Sequence, residues 1–145
     1  MKDFDRPLND RGNKDAPAMA KRLLDKHINV DAFVTSPALR ALTTARFFHE
    51  AFKAKKDELI TIPDLYHAPV NKFYWVIDHL DDRYDCVALF SHNPGITEMV
   101  NTLNVATVDN MPTCGIFGVN ADIAKWKDFE DAEKKFWFFD YPKLG

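Results

Sequence analysis

The stretch Leu89-Phe90-Ser91-His92-Asn93-Pro94-Gly95-Ile96 decides the fold of this chain. Residues 86–90 form an apolar run typical of a strand buried on both faces, and apolar residues recur at helical spacing from Ile96 onward. His92 is therefore predicted at the carboxyl end of a core strand, facing the start of a helix, where open α/β sheets bind ligands and helix N–H groups favour anions. This position suits phosphate chemistry. A histidine that only bonds a neighbouring carbonyl at the turn fits the segment equally well.

The composition indicates one globular domain. With 145 residues, 46% hydrophobic and 28% charged, the chain should form a single domain over residues 1–145. Its formal net charge is -3, and its basic residues are interspersed with acidic ones, so we do not expect nucleic acid as a partner. No run approaches the roughly 18 apolar residues of a membrane span, and the first residues lack a signal-peptide pattern. We therefore expect a cytoplasmic protein with no membrane partner.

The two cysteines carry no metal-binding or redox pattern. Cys86 and Cys114 are far apart in sequence and belong to no CxxC motif. We expect them to be reduced core thiols rather than metal ligands or a disulfide. No metal or other cofactor is predicted.

The predicted helices and strands alternate in an order typical of an α/β fold: an open, mostly parallel sheet with helices on both faces. Apolar spacing predicts a first helix around residues 16–24, in which Pro17 fits only within the first turn. The predicted strands span 31–35, 59–62, 86–90, 114–119 and 135–139, and the later helices lie at 37–55, 73–80 and 96–103.

A second candidate for phosphate binding is Arg40, in the segment Thr35–Ala45. This segment again joins a strand end, a turn and a helix start, which places Arg40 in the first turn of the helix. From there a guanidinium can make a bidentate contact to phosphate, although a solvent-facing arginine is the commoner role on an amphipathic helix. Because parallel strands bring their carboxyl ends together, Arg40 and His92 are predicted to converge on one anion.

Several segments resemble the histidine phosphatase superfamily, and within it the small SixA-like phosphohistidine phosphatases. The resemblance rests on the motifs Ser36-Pro37-Ala38-Leu39-Arg40-Ala41 and Ser91-His92-Asn93-Pro94-Gly95, and on residues 3–12, 65–68, 110–114 and 141–143. It covers nearly the whole chain and implies a phosphoglycerate mutase-like fold.

The resemblance implies a two-step phosphoryl transfer without a metal or other cofactor. A histidine nucleophile takes the phosphoryl group, and water then removes it. Arg40 would clamp the phosphate, and His92 would be the second, catalytic histidine, donating to a phosphate oxygen in the transition state. Arg6 would line the mouth of the site or form an ion pair that pins the first loop. Asn93 would orient His92 or cap the following turn.

The sequence departs from the family at the nucleophile. The family places that residue in an Arg-His-Gly or Arg-His-Ala motif at the end of its first, central strand, and this sequence contains no Arg-His pair. We therefore expect that strand to be absent from this chain, so that the domain is truncated at its amino terminus relative to the family. Its absence should leave a groove between unpaired strand edges and allow a strand-exchanged oligomer. A shortened sequence, a misplaced start codon and a true pseudoenzyme all predict this pattern.

Two functional hypotheses follow. The first is a phosphatase acting on phosphohistidine in proteins or on a small phosphorylated molecule, inactive as the chain stands. The alternative is a non-catalytic module that binds phosphate or a phosphorylated protein. No clear leaving-group acid is present: Asp64 fits better as a loop cap, and His67 would reach the pocket only if the loop 65–68 folds over it.

Overall fold

Helices and strands alternate along residues 1–144, the part of the chain that the computed structural model describes. The strands in this part are β1 (Ala32–Thr35), β2 (Leu59–Thr61), β3 (Val87–Phe90), β4 (Ile116–Ala121) and β5 (Lys134–Asp140). The helices are α1 (Asp10–Asp25), α2 (Leu39–Ala51), α3 (Val70–Asp78) and α4 (Gly95–Thr102), with short 3-10 turns at Asp3–Asp5, Lys56–Glu58, Pro63–Leu65 and Trp126–Asp128. None of the helices between residues 1 and 144 is long and apolar enough to cross a membrane.

The first three strands form a parallel sheet with β1 in the middle. Phe33 lies opposite Leu59 of β2 and Ala88 of β3. The ladder continues past β1, because the N–H of Ser36 donates to the carbonyl of Phe90 at 2.9 Å. The carboxyl ends of all three strands therefore lie at the same edge, as parallel topology requires.

The last two strands form a separate antiparallel pair, β4 and β5. The Asn93 side chain, beyond the end of β3, bonds Met111, which lies before β4, at 3.0 Å. The indole N–H of Trp126, after β4, donates at 2.9 Å to the carbonyl of Tyr84, before β3. Strand β4 therefore runs opposite to β3. The strands of residues 1–144 thus form two separate sheets, and β3 and β4 each pair with one strand only.

Helices cover both faces of the parallel sheet, as predicted. Neighbouring residues of β1 point to opposite faces, so that Phe33 and Val34 belong to different apolar clusters. The cluster around Phe33 also contains Met19, Ala20, Leu23 and Phe48, from α1 and α2. The cluster around Val34 contains Phe73, Val76, Ile77 and Met99, from α3 and α4. The α/β architecture with helices on both faces is thus confirmed.

The first helix starts earlier than the apolar spacing indicated. It begins at Asp10, because the side chain of Asn9 accepts the N–H of Gly12 at 2.8 Å and caps the helix. Pro17 consequently lies inside α1, and the prediction that it falls in the first turn was wrong. The missing proline N–H costs one helical hydrogen bond. Fully buried neighbours such as Ala16 and Met19 offset that cost.

The third strand is packed on both faces, as predicted, but it is less completely buried than expected. Every residue of β3 is only partly buried, in contrast to the four fully buried residues of β1. Both faces of β3 meet apolar side chains, but its second edge faces a cavity instead of another strand. The exposure therefore comes from the edge of the strand.

Candidate functional site

The ring of His92 is held at the carboxyl edge of the sheet by the end of β1. Its Nε2 lies 2.8 Å from Oγ of Ser36, and the same Oγ accepts the N–H of Ala38 at 3.2 Å. Ser36 is fully buried and His92 is 7% exposed. This contact joins the two strand ends that the sequence indicated as candidate ligand sites.

The buried position of His92 determines its charge. Burial, and to a smaller extent the nearby positive charge of Arg40, lowers its pKa to about 4. The imidazole is therefore neutral near pH 7, with one nitrogen carrying a hydrogen and the other accepting. A neutral imidazole can donate a hydrogen bond to an anion but cannot supply a full positive charge.

Arg40 is the second residue of α2 and lies in its first turn, as predicted. Its Nη1 donates to the carbonyl of Asp3 at 2.9 Å, and its Nη2 donates to Oδ2 of the same residue at 3.2 Å. The side chain is only 25% exposed. Arg40 and His92 both line the cavity that runs along β3, and the charge of Arg40 acts on the His92 ring, so the guanidinium is not a free surface group.

Two further side chains converge on Asp3. The hydroxyl of Tyr66 donates to Oδ2 of Asp3 at 2.7 Å, and Nε2 of His67 lies 3.1 Å from the same oxygen. The Tyr66 hydrogen bond holds the pKa of Asp3 below its usual value, and Asp3 in turn raises the pKa of Tyr66. The rings of His67 and Tyr66 have centroids 5.7 and 5.6 Å from that of His92.

The loop that carries Tyr66 and His67 is fastened to the strand that carries His92. Oγ of Ser91 donates to the carbonyl of Leu65 at 2.6 Å. A Cβ on Gly95 would lie only 2.1 Å from the carbonyl oxygen of Ala68, so only glycine allows α4 to approach this closely. The loop lies beside His92, although none of its residues is among those that line the cavity shared by Arg40 and His92. The loop follows β2, whose carboxyl end lies at the same edge of the sheet as that of β3. The parallel topology could therefore have predicted that Tyr66 and His67 lie near His92.

The other candidates lie farther from this cluster or make different contacts. Arg6 is exposed, lines the same cavity and forms no salt bridge within the described part of the chain. Asn93 accepts the hydroxyl of Thr97 at 2.6 Å and donates to Met111, so it ties α4 to the segment before β4. Neither of these hydrogen bonds orients the His92 side chain or caps the start of α4. Asp64 lies 3.7 Å from Nζ of Lys72.

The cysteines are partly buried free thiols. Burial raises the pKa of Cys86 to about 11 and also raises that of Cys114, so neither forms a reactive thiolate near neutral pH. Among residues 1–144, no group of three or more histidine, cysteine, aspartate or glutamate side chains is placed to hold a metal ion.

The cavity between the two sheets has a volume of about 980 Å³. This is at the upper end of the roughly 300–1,000 Å³ range of small-ligand pockets. All residues of β3 and of β4 line it, and it reaches Arg6, Arg40 and His92. Apolar side chains of the helices cover it on both sides, among them Leu23, Phe48, Phe73, Ile77 and Met99. The cavity therefore has the surroundings of an interior strand position: a backbone edge on either side and apolar layers above and below. A smaller cavity of about 320 Å³ beside α3 includes neither Arg40 nor His92.

Comparison with known proteins supports the resemblance seen in the sequence. Residues 2–67 match the model of the histidine phosphatase superfamily, branch 1. The predicted resemblance to the histidine phosphatase superfamily is confirmed. No curated protein sequence matches the chain.

Solved histidine phosphatase structures share the fold over nearly the whole chain. SixA from Agrobacterium tumefaciens superposes with a TM-score of 0.80 at 21% identity, covering 98% of this chain and 87% of the other. The protein histidine phosphatase SixA in complex with tungstate gives 0.80 at 22% identity, covering 97% and 87%. SixA from Nakamurella multipartitia gives 0.78 at 17% identity, covering 99% and 89%. The phosphoglycerate mutase-like fold class is thereby confirmed.

Proposed function

We propose that this protein is a SixA-like phosphatase scaffold that binds a phosphoryl group through Arg40 and His92. Its substrate class would be phosphohistidine in a protein or a small phosphorylated molecule. The observation that carries the proposal is that both residues follow the carboxyl ends of the paired parallel strands β1 and β3 and line the same cavity. The tungstate complex of a SixA protein of the same fold supports it, because tungstate is an analogue of phosphate.

The two residues have complementary roles in this proposal. Arg40 supplies a permanent positive charge and a planar pair of N–H donors, which suit phosphate oxygens. His92 is neutral and is oriented by Ser36, so it contributes a directed hydrogen bond and little charge. Arg6 at the rim of the cavity would add a second guanidinium. Together these groups bind the anion and stabilise charge, and none of them acts as a nucleophile.

We propose that the 145-residue chain binds phosphate without hydrolysing phosphate esters or phosphohistidine at an enzymatic rate. The family's nucleophile follows an arginine at the end of a strand, and the sequence has no Arg-His pair. Loss of a nucleophile typically lowers the rate by several powers of ten. The absence of the pair also favours the second candidate function, a module that binds a phosphorylated protein without turnover.

Binding of orthophosphate by calorimetry tests the site. Arg40→Gln should weaken binding roughly ten- to hundredfold, the equivalent of a lost charge-assisted hydrogen bond. Arg46→Gln is the matched control, because Arg46 is an exposed arginine on the same helix. Equal affinities for the two variants would overturn the phosphate site.

Phosphate release from a phosphohistidine peptide tests the second half of the proposal. The purified chain should show no release above that of the uncatalysed reaction. Turnover that disappears in His92→Ala or in His67→Asn would show that one of these histidines is the nucleophile, and the assigned roles would then be wrong.

A further inference from the structure

One carboxylate oxygen, Oδ2 of Asp3, is surrounded by three side-chain donors. Nη2 of Arg40 lies 3.2 Å from it, the hydroxyl of Tyr66 2.7 Å and Nε2 of His67 3.1 Å. Nη1 of Arg40 is also occupied, since it donates to the backbone carbonyl of Asp3. A single oxygen with a guanidinium, a hydroxyl and an imidazole around it is in the environment that an anionic oxygen of a ligand requires.

We propose that Arg40, Tyr66 and His67 form a cradle for one phosphoryl oxygen, and that Asp3 fills this cradle as an internal anion until phosphate displaces it. This inference rests on the proposed function. It adds Tyr66 and His67 to the phosphate site and assigns Asp3 as a competitor for Arg40.

The loop that supplies Tyr66 and His67 to the cradle is held in place by contacts that do not involve Asp3. His67 has a φ of 50°, in the left-handed region that non-glycine residues rarely adopt. The surrounding loop maintains this conformation through the Ser91–Leu65 hydrogen bond and the close approach of Gly95 to Ala68. Backbone strain of this kind is concentrated at ligand sites.

Asp3, in contrast, is in a position from which it can leave. It lies in the one-turn helix Asp3–Asp5, and its side chain is 41% exposed. Partly exposed ion pairs are weak, because solvent screens them. A phosphate dianion carries more charge than a carboxylate and has more acceptor oxygens, so Arg40 should favour phosphate over Asp3. One other charged group bears on the cradle: Asp5, which acts on Tyr66. The neighbouring His92 is neutral near pH 7.

The test is orthophosphate binding by calorimetry near pH 7.5. Asp3→Asn should tighten binding by about tenfold, since it removes the competing charge and weakens the contact with Arg40. Asp5→Asn is the control, because it removes the same charge from the same short helix without a contact to Arg40. Because Asp5 acts on Tyr66 only through its charge, Asp5→Asn should tighten binding much less than Asp3→Asn, and equal tightening by both variants would overturn the proposal.

The donors are tested in the Asp3→Asn background. Tyr66→Phe and His67→Asn should each weaken orthophosphate binding by roughly two- to tenfold, the range for one hydrogen bond. Asparagine tolerates a left-handed backbone but is shorter than histidine, so it preserves the loop and withdraws the donor. Unchanged affinity in both variants would overturn the cradle.

Spectra of the unsubstituted chain give a second measurement that does not depend on variant folding. Orthophosphate should shift the side-chain NMR resonances of His67 and Asp3 together with those of Arg40. If Arg40→Gln abolishes binding while Asp3→Asn changes nothing and the His67 resonances stay fixed, the cradle is wrong and the proposed function stands. If Arg40→Gln has no effect, the proposed function itself fails.

Discussion

Nε2 of His92 lies 2.8 Å from Oγ of Ser36, and this contact joins the ends of two parallel strands across 56 residues of sequence. Both side chains are buried, and Ser36 also accepts the N–H of Ala38 at the start of α2. The imidazole is therefore oriented by the protein before any ligand arrives. An oriented group loses less entropy on binding than a mobile one.

Ser36→Ala should lower the free energy of unfolding by about 1–3 kcal/mol, because it leaves the buried His92 nitrogen and the Ala38 N–H without a partner. Urea unfolding measures the change. Thr43→Ala is the control: Thr43 donates to the carbonyl of Leu39 on the surface of α2, and its loss should cost less than about 0.5 kcal/mol. Equal effects would mean that the Ser36–His92 contact does not stabilise the fold.

The stability of the protein should fall as the pH is lowered from about 6.5 toward 4. The pKa of His92 is about 4 in the folded chain against an ordinary value of 6.5, so the unfolded chain binds a proton at a higher pH than the folded one. Each unit of pKa difference is worth about 1.4 kcal/mol. Urea unfolding across this range should show the decline, and His92→Gln should flatten it. An identical slope in the variant would exclude His92 as the cause.

Gly95→Ala should destabilise the chain by about 1–3 kcal/mol, the usual cost of overpacking. The new methyl group would meet the carbonyl oxygen of Ala68, a backbone atom, at 2.1 Å. The loop carrying His67 must then move, and the His67 NMR resonances should shift. Gly12→Ala is the control, since its methyl group would meet the flexible end of the Leu8 side chain. If both variants behave alike, the close approach of Gly95 does not hold the loop.

The cavity between β3 and β4 should accept an added strand. Within residues 1–144, β3 and β4 each pair with one strand only, and an unpaired strand edge is a template for pairing with another strand. A strand of about seven apolar residues ending in Arg-His, joined by a loop ahead of Met1, should raise the melting temperature. By the family resemblance it should also create phosphatase activity.

An otherwise identical extension ending in Arg-Gln separates the two effects. It should stabilise the fold equally and remain inactive, because it closes the sheet without supplying a nucleophile. Without an extension, the chain should be marginally stable or should form oligomers by strand exchange, as seen by size-exclusion chromatography. If the 145-residue chain is a stable monomer and the extended chain gains neither stability nor phosphatase activity, the non-catalytic binding module is favoured.

Periodicity and strand order were enough to predict much of this protein. Apolar spacing located all five strands described in residues 1–144 and the helices between them, because burial imposes a period of two or 3.6 on the sequence. It misplaced the start of α1, since the Asn9 cap is a local hydrogen bond that apolar spacing does not report. Parallel topology then placed Arg40 and His92 at one edge, because parallel strands end together.

The sequence alone therefore determined which elements form and which edge of the sheet carries the candidate site. The groove between unpaired strand edges was also predicted from the sequence, but only the tertiary structure decided that β3 and β4 border it and that Asp3, Tyr66 and His67 meet at Arg40. These contacts join segments more than thirty residues apart, as the spacing of 37 between Asp3 and Arg40 illustrates. Periodicity records how one element faces the core. It does not record how closely two segments distant in sequence approach each other. Here the packing of Gly95 against Ala68 sets the distance between α4 and the loop that carries His67.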